Sequence, residues 1–188
     1  IQANAKIAGM ATAIAQPFVQ AMGLDLASDI GPTLDAEVAI ASDAAATSTP
    51  GAQPPLNATF MVNSQFVRAA GTARVTSEAI TTTAGGITID RDRAVGMSAR
   101  FVKPETGWTI AAAPGKGRVN ITAKNITIPR TKEGAADLAN MLGSIRVMTQ
   151  GLIATPTTGT AAGRPIQVGD LGADVNIAAG GTPDAQLK

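Results

Sequence analysis

The sequence contains no cysteine, no histidine and no tyrosine, and aromatic residues make up only 3% of the chain. Without cysteine, neither disulfide bonds nor thiolate metal sites can form. Without histidine, the chain lacks the commonest general base and the commonest metal ligand. We therefore expect a protein that is not an enzyme and that holds no metal and no cofactor.

The sequence also lacks an excess of positive or negative charge, and it lacks long apolar runs. The 15 basic and 14 acidic residues leave a net charge of +1, so no strong field attracts nucleic acid. No apolar run approaches the ~20 residues that a transmembrane helix needs, so we expect no transmembrane segment in this sequence. Because the sequence begins at Ile1, we expect an excised part of a larger protein, with neighbouring domains and any membrane anchor outside it.

Most of the chain between Thr33 and Ile128 alternates apolar and polar residues, which is typical of half-buried strands. The predicted strands cover Thr33–Ser42, Leu56–Ser64, Gln65–Val75, Ala79–Thr83, Gly86–Asp90, Val95–Phe101, Gly107–Ala112, Val119–Ile128, Ser144–Gln150 and Leu171–Ala179. The short turns between them favour antiparallel pairing. Within Val119–Ile128 the apolar parity changes at Asn125, which predicts a bulge there.

Three of the connections are predicted to be turns. Ala84-Gly85-Gly86 is typical of a hairpin. Asp90-Arg91-Asp92-Arg93 alternates charge and indicates a solvated turn. Pro114-Gly115-Lys116-Gly117 is also predicted to be a hairpin turn and not a nucleotide-type phosphate loop, because Arg118 stands where a serine or threonine would hold magnesium.

Two segments have helical spacing instead. Apolar residues recur every three or four positions over Ile1–Met22 and again over Thr131–Leu142, where Thr131 can cap the first turn. A short amphipathic helix must pack its apolar side on another element, here the sheet. The residues expected to be buried in this way are Ile14, Phe18, Leu138 and Leu142.

These elements predict an α+β fold. We expect a curved, mostly antiparallel sheet of about eight to ten strands, with an N-terminal helix and a second short helix packed on one face. Residues 1–188 would form a single domain. Leu34–Ala41 and Leu171–Ala178 have similar sequences, so 1–130 and 131–188 could be two helix-plus-strands repeats, although shared alternation alone explains the similarity equally well.

The C-terminal third has a distinctive order of segments. Asp137-Leu138-Ala139-Asn140-Met141-Leu142-Gly143 is followed by Ile145-Arg146-Val147 and then by Ile166–Val175. Near the N-terminus, Ile30–Asp35 followed by Leu56–Phe60 has a similar pattern. This order resembles bacterial AsmA/TamB-like envelope proteins, in which a short helix precedes the strands of a long curved sheet. The resemblance implies an apolar groove, a periplasmic or cell-envelope location and a role in lipid transport.

The resulting hypothesis is a non-enzymatic envelope module that binds or conducts lipid, with phospholipid acyl chains as partner. Lipid sites are mostly apolar with few polar anchors. The candidate lipid-facing or core residues are Phe60, Val62, Met97, Phe101, Trp108, Leu138 and Leu142. The alternative is a structural or adhesive surface or fibre domain without a ligand, in which the inward face of the sheet is packed against itself.

Overall fold

One antiparallel sheet dominates the computed structural model, which describes residues 2–20, 24–43, 54–98, 106–178 and 184–187. Its strands are β1 (Gln2–Ala11), β2 (Thr33–Ser42), β3 (Leu56–Ser64), β4 (Val67–Val75), β5 (Ala79–Asp90), β6 (Trp108–Ala112), β7 (Arg118–Pro129), β8 (Leu142–Pro156), β9 (Ile166–Ile177) and β10 (Asp184–Leu187). Their order is β1-β2-β3-β4-β5-β7-β8-β9-β10, and β6 pairs with β8. The predicted, mostly antiparallel sheet and the broad α+β class are confirmed.

One edge of the long strand β8 pairs with two different strands. Residues 142–149 of β8 pair with β7, and residues 152–156 pair with β6. Between these stretches Gly151 has a φ of 67°, a conformation that glycine adopts without steric cost. The other edge of β8 is covered by β9 over nearly its whole length.

The predicted N-terminal helix is wrong over Gln2–Ala11, which forms β1 and pairs with β2. The strand register shifts between Ile7 and Met10, where Gly9 has a φ of 63°. The bulge keeps both apolar residues on one side of the sheet at a spacing of three, which imitates a helix in the sequence. The adjacent prediction for Ile14 is also wrong, because this residue is 66% exposed.

Helical structure after β1 is limited to short segments. A 3-10 turn covers Thr12–Ile14, and two four-residue helices follow, α1 (Gln16–Val19) and α2 (Leu26–Asp29). The side chain of Phe18, which was predicted to be buried, lies outside the described part of the structure. None of these helices has the length that was predicted for an amphipathic helix packed on the sheet.

The predicted helix over Thr131–Leu142 is wrong as well. This connection consists of turns and one 3-10 turn over Leu138–Asn140. Arg130 fixes it, since its Nε donates to the carbonyl of Gly134 at 2.8 Å, and Gly134 has a φ of 83° that a right-handed helix cannot contain. Leu142 begins β8 and is 40% exposed instead of buried, and the Leu138 side chain lies outside the described residues.

A third helix, α3 (Arg91–Ser98), replaces a predicted turn and the start of the predicted strand Val95–Phe101. Asp90 starts it, because Oδ1 of Asp90 accepts hydrogen bonds from the backbone N–H groups of Asp92 and Arg93 at 3.1 and 3.2 Å. This is the usual role of aspartate at a helix N-terminus. The turn predicted at Asp90–Arg93 and the strand predicted over Val95–Ser98 are therefore wrong.

The turn predicted at Ala84-Gly85-Gly86 is wrong too, because β5 continues through it. β5 pairs with β4 and β7 along its length, and its register shifts by one residue against β4. The bulge predicted at Asn125 is confirmed, since this residue has a φ of 52° and β7 shifts register against β8 between Lys124 and Thr127. The change of parity keeps Ile126 on the same side of the sheet as Ile121.

Asn125 provides a test of this bulge. Replacing Asn125 with valine should lower the free energy of unfolding by about 1–2 kcal/mol, because a β-branched residue is strained at positive φ. Replacing it with glycine, which accepts this conformation, should leave stability unchanged or slightly higher. Urea unfolding of the two variants beside wild type measures the difference, and equal midpoints would show that the bulge is not held in this conformation.

Few side chains are buried, because the sheet is a single layer. Leu26, Ile126 and Leu152 are the buried hydrophobic residues of the described part. The chain exposes 12113 Å² of surface, whereas a compact monomer of 18.8 kDa exposes about 8,300 Å². The sheet therefore has faces that the described helices do not cover.

Candidate functional site

The strand register divides the sheet into an apolar and a polar face. Residues directly opposite each other in an antiparallel pair share a face, so a row of partners can be followed from strand to strand. One row contains Ile7, Ala36, Val62, Ala69, Ile87, Ile121, Val147 and Ala173. The next row on the same face contains Ala5, Val38, Phe60, Gly71, Gly85, Ala123, Ile145 and Val175. We call the face with these two rows the apolar face.

The opposite side, which we call the polar face, has a different composition. The row between the two apolar rows contains Lys6, Glu37, Met61, Ala70, Gly86, Thr122, Arg146 and Asp174. Charged residues therefore occur on this face of the same strands, whereas the two apolar rows contain none. This alternation is the pattern of a sheet with one face in water and one face against an apolar environment.

The apolar face is most exposed over β1, β2, β3 and β5, whereas its row residues on β7, β8 and β9 are half-buried. Ile7 is 47% exposed, Ile87 39%, and Val38 and Phe60 37% each. These exposed fractions show that no helix or strand of the described part fully covers the four side chains. A contiguous apolar surface of this kind usually marks a site of interaction.

The surface of the apolar face is smooth near its centre. Phe60 is the one aromatic residue in the two rows, and its ring lies over Gly71 on the neighbouring strand. A Cβ atom on Gly71 would lie 2.7 Å from two ring atoms of Phe60, so glycine allows the ring to lie close to the backbone. Gly85 follows Gly71 in the same row, which leaves a low area beside the ring.

Among the sequence-predicted site residues whose side chains the structure describes, two lie together. Phe60 and Val62 lie in adjacent rows of the apolar face. Leu142 pairs with Thr127 on β7, and Met97 lies on α3, away from both rows. Trp108 lies on β6 and is 44% exposed, so it is not a core residue. Phe101 and the Leu138 side chain are outside the described residues.

The polar face contains open depressions. One of about 670 Å³ lies over Ala70, Gly86 and Thr122, and a second of about 940 Å³ extends from Arg118 to Asp174. In the second, Nε and Nη2 of Arg146 donate to the two carboxylate oxygens of Asp174 at 2.6 and 3.2 Å. These hydrogen bonds, together with the carboxylate charge, raise the pKa of the Arg146 guanidinium.

Sequence reasoning missed a group of basic residues at one end of the sheet. Arg68, Lys116 and Arg118 line a third depression of about 550 Å³ on the polar face. Arg68 occupies an outward position of a predicted strand, Lys116 lies in a predicted turn, and Arg118 lies between that turn and the predicted strand Val119–Ile128. In a sequence, basic residues at such positions are interpreted as exposed to solvent. Only the order of the strands in the sheet shows that the three side chains line one depression.

The described residues contain neither a cluster of three potential metal-binding acids nor a helix long and apolar enough to cross a bilayer. No protein-family model, no curated protein and no solved structure matches this chain. The functional proposal therefore depends on the geometry of the two faces and on the resemblance stated from the sequence.

Proposed function

We propose that this chain is a non-enzymatic module of the bacterial cell envelope that binds phospholipid acyl chains along its apolar face. One observation carries the proposal. Two uncharged apolar rows cross eight strands without interruption, and four of their large side chains, on β1, β2, β3 and β5, remain more than a third exposed. Burying such a surface under hydrocarbon stabilises it by about 25 cal/mol per Å².

The chemistry of the face favours acyl chains over a protein partner. Protein interfaces concentrate their binding energy in tryptophan, tyrosine and arginine, surrounded by polar groups that form hydrogen bonds. The two rows consist of aliphatic residues and glycine with the single aromatic residue Phe60. They offer dispersion contacts and no directional partner, which suits hydrocarbon chains of variable length.

The length of the face suits lipid movement as well as binding. Seven steps between neighbouring strands at ~4.8 Å give rows of roughly 34 Å. One leaflet of a bilayer is about 15 Å of hydrocarbon, so a single acyl chain covers only part of a row. A lipid could therefore move along the rows from strand to strand without leaving the apolar surface.

Curvature and location are further parts of the proposal. Register shifts in β1, β5 and β7 support a bent sheet, because bulges bend strands and increase their local twist. A bend toward the apolar face would turn it into a groove. The periplasmic or envelope location is supported by the resemblance to AsmA/TamB-like proteins and follows from the proposed ligand.

Adjacent residues on β3 provide a matched test. Phe60 and Met61 are 37% and 45% exposed and point to opposite faces. Replacing Phe60 with glutamate places a charge on the apolar face, where an acyl chain would have to desolvate it at a cost of several kcal/mol. We expect lipid extracted from the purified Phe60→Glu protein, measured by mass spectrometry, to fall at least about tenfold per mole of protein.

The Met61→Glu variant has the same new charge on the same strand and should retain wild-type lipid content. Circular dichroism of both variants confirms that the sheet is intact. Equal lipid content in the two variants, or wild-type protein free of lipid, would contradict the proposal. A wild-type protein free of lipid whose apolar face is hidden in an oligomer would instead support the structural alternative.

A further inference from the structure

Three basic side chains lie together at one end of the polar face. Arg68 on β4 and Arg118 on β7 lie on the same face, separated by β5, where their direct partners are Thr88 and Asp90. Lys116, two residues before Arg118, lines the same depression of about 550 Å³. Among the described residues, none of these three side chains forms an ion pair.

Asp90, the acidic residue beside the three basic side chains, already accepts hydrogen bonds from the start of α3. Oδ1 of Asp90 accepts hydrogen bonds from the N–H groups of Asp92 and Arg93 at the start of α3. Its charge is thus directed at the positive end of the helix, where a carboxylate is stabilised. The depression is lined by three basic groups and by this one acid, in a chain whose net charge is only +1.

Other arginines of the sheet have partners, which sets this cluster apart. Arg74 lies 3.8 Å from the carboxylate of Asp43, and Arg146 pairs with Asp174. Arg130 donates to backbone carbonyls. The adjoining depression, which Lys116 and Arg118 also line, contains two more arginines that have partners: Arg146 pairs with Asp174, and Arg91 donates to backbone carbonyls.

We propose that Arg68, Lys116 and Arg118 form a binding site for a phosphate group. Arginine offers planar pairs of N–H donors that fit phosphate oxygens, and lysine adds a mobile point charge. The volume of the depression accommodates a phosphate monoester or diester with its first substituent. Both a lipid headgroup and a soluble phosphate ester present this chemistry. Because the site lies on the polar face, it does not depend on the proposed binding of acyl chains.

The test compares two arginines of β4 on the same face. Arg68→Gln removes a charge from the site, whereas Arg74→Gln removes the same charge at the other end of the strand. Glycerol 3-phosphate is titrated into ¹⁵N-labelled protein at constant ionic strength, and the amide shift of Gly117 reports binding. We expect Arg68→Gln and Arg118→Gln each to weaken binding about fivefold and Arg74→Gln to leave it within about twofold.

A second arm separates the two sources of phosphate. Phosphatidylcholine vesicles with and without phosphatidic acid are sedimented with wild-type protein and with the same variants. If binding of glycerol 3-phosphate and of phosphatidic acid both depend on Arg68 and Arg118, the site accepts either source. If only vesicle binding depends on them, the ligand is a lipid headgroup. Absence of binding in both arms, or equal weakening by Arg74→Gln, overturns the site, while the lipid content of the protein still tests the apolar face separately.

Discussion

Replacing Arg91 with methionine is expected to lower the free energy of unfolding by about 3–5 kcal/mol, through the loss of its hydrogen bonds and its packing. The Arg91 side chain is only 4% exposed. Its Nη1 donates to the carbonyl of Gln150 at 3.1 Å, and its Nη2 donates to the carbonyls of Ala113 and Gly115 at 2.5 and 2.8 Å. One guanidinium therefore connects α3 with β8 and with the loop between β6 and β7.

Methionine cannot replace these interactions. It would remove the part-buried hydrogen bonds to the carbonyl groups of Gln150, Ala113 and Gly115, and a hydrogen bond to a charged group contributes about 1.5–3 kcal/mol. The pocket is also shaped for a planar group. A Cβ atom on Gly117 would lie 2.7 Å from the guanidinium Cζ, and a Cβ atom on Gly151 would overlap Nη1. The two glycines leave room for the guanidinium, which a flexible thioether fills less completely.

Urea unfolding followed by circular dichroism measures the effect, with Arg93→Met as the matched control. Arg93 lies on the same helix, and its guanidinium is 4.2 Å from the centre of the Phe66 ring. Losing this exposed cation–π contact should cost only about 0.5–1 kcal/mol. If Arg91→Met and Arg93→Met shift the midpoint equally, the hydrogen bonds of Arg91 do not hold the sheet end together.

The role of Arg91 could not be predicted from the sequence. Alternating acids and bases at Asp90–Arg93 are typical of a solvated turn, because charged residues rarely lie in the interior. The partners of Arg91 are backbone carbonyls 22, 24 and 59 residues away, and a carbonyl group has no side-chain signature in a sequence. Only the pairing of β6 with β8 brings them to one place.

The strands were predicted where each face has its own composition. Thr33–Ser42 and Leu56–Ser64 were predicted with the bounds that the structure has, since strict alternation over nine or ten residues fits no helix. The two-residue connection between Ser64 and Val67 fixes the register of β3 against β4, whereas 13 residues separate β2 from β3 and leave that register to the apolar pattern. The sequence was therefore sufficient to predict which residues of these strands share the apolar face.

The errors have a common physical origin in bulges and glycines. At Gly9 a bulge produced helical spacing in a strand, and within β5 a bulge beside two glycines resembled a turn. The predicted elements that contained the candidates Met97 and Leu142 were wrong for a related reason. Met97 and Leu142 were assigned to elements by local spacing, whereas Asp90 as a helix cap and Gly134 at positive φ decided the local structure. Local spacing cannot distinguish these cases without knowledge of the strand partners.

Gly143 should be the second position with a large effect on stability. It lies on β8 opposite the bulge of β7, where Asn125 and Ile126 occupy the space between the partners of Ser144 and Leu142. Its φ is 147°. A Cβ atom here would lie 2.5 Å from Cδ1 and 2.9 Å from Cα of Ile126. Ile126 is only 9% exposed, so its side chain has little room to move away.

We therefore expect Gly143→Ala to lower the free energy of unfolding by about 2–5 kcal/mol, from overpacking and from strain at positive φ combined. Gly169→Ala is the control, because this position on β9 has no heavy atom within 4 Å of the added Cβ. There, alanine should be neutral or stabilising by up to about 1 kcal/mol, as it restricts the unfolded chain. Urea midpoints that agree for the two variants would mean that Ile126 does not pack over Gly143. In that case the bulge at Asn125 would not direct the Ile126 side chain against β8.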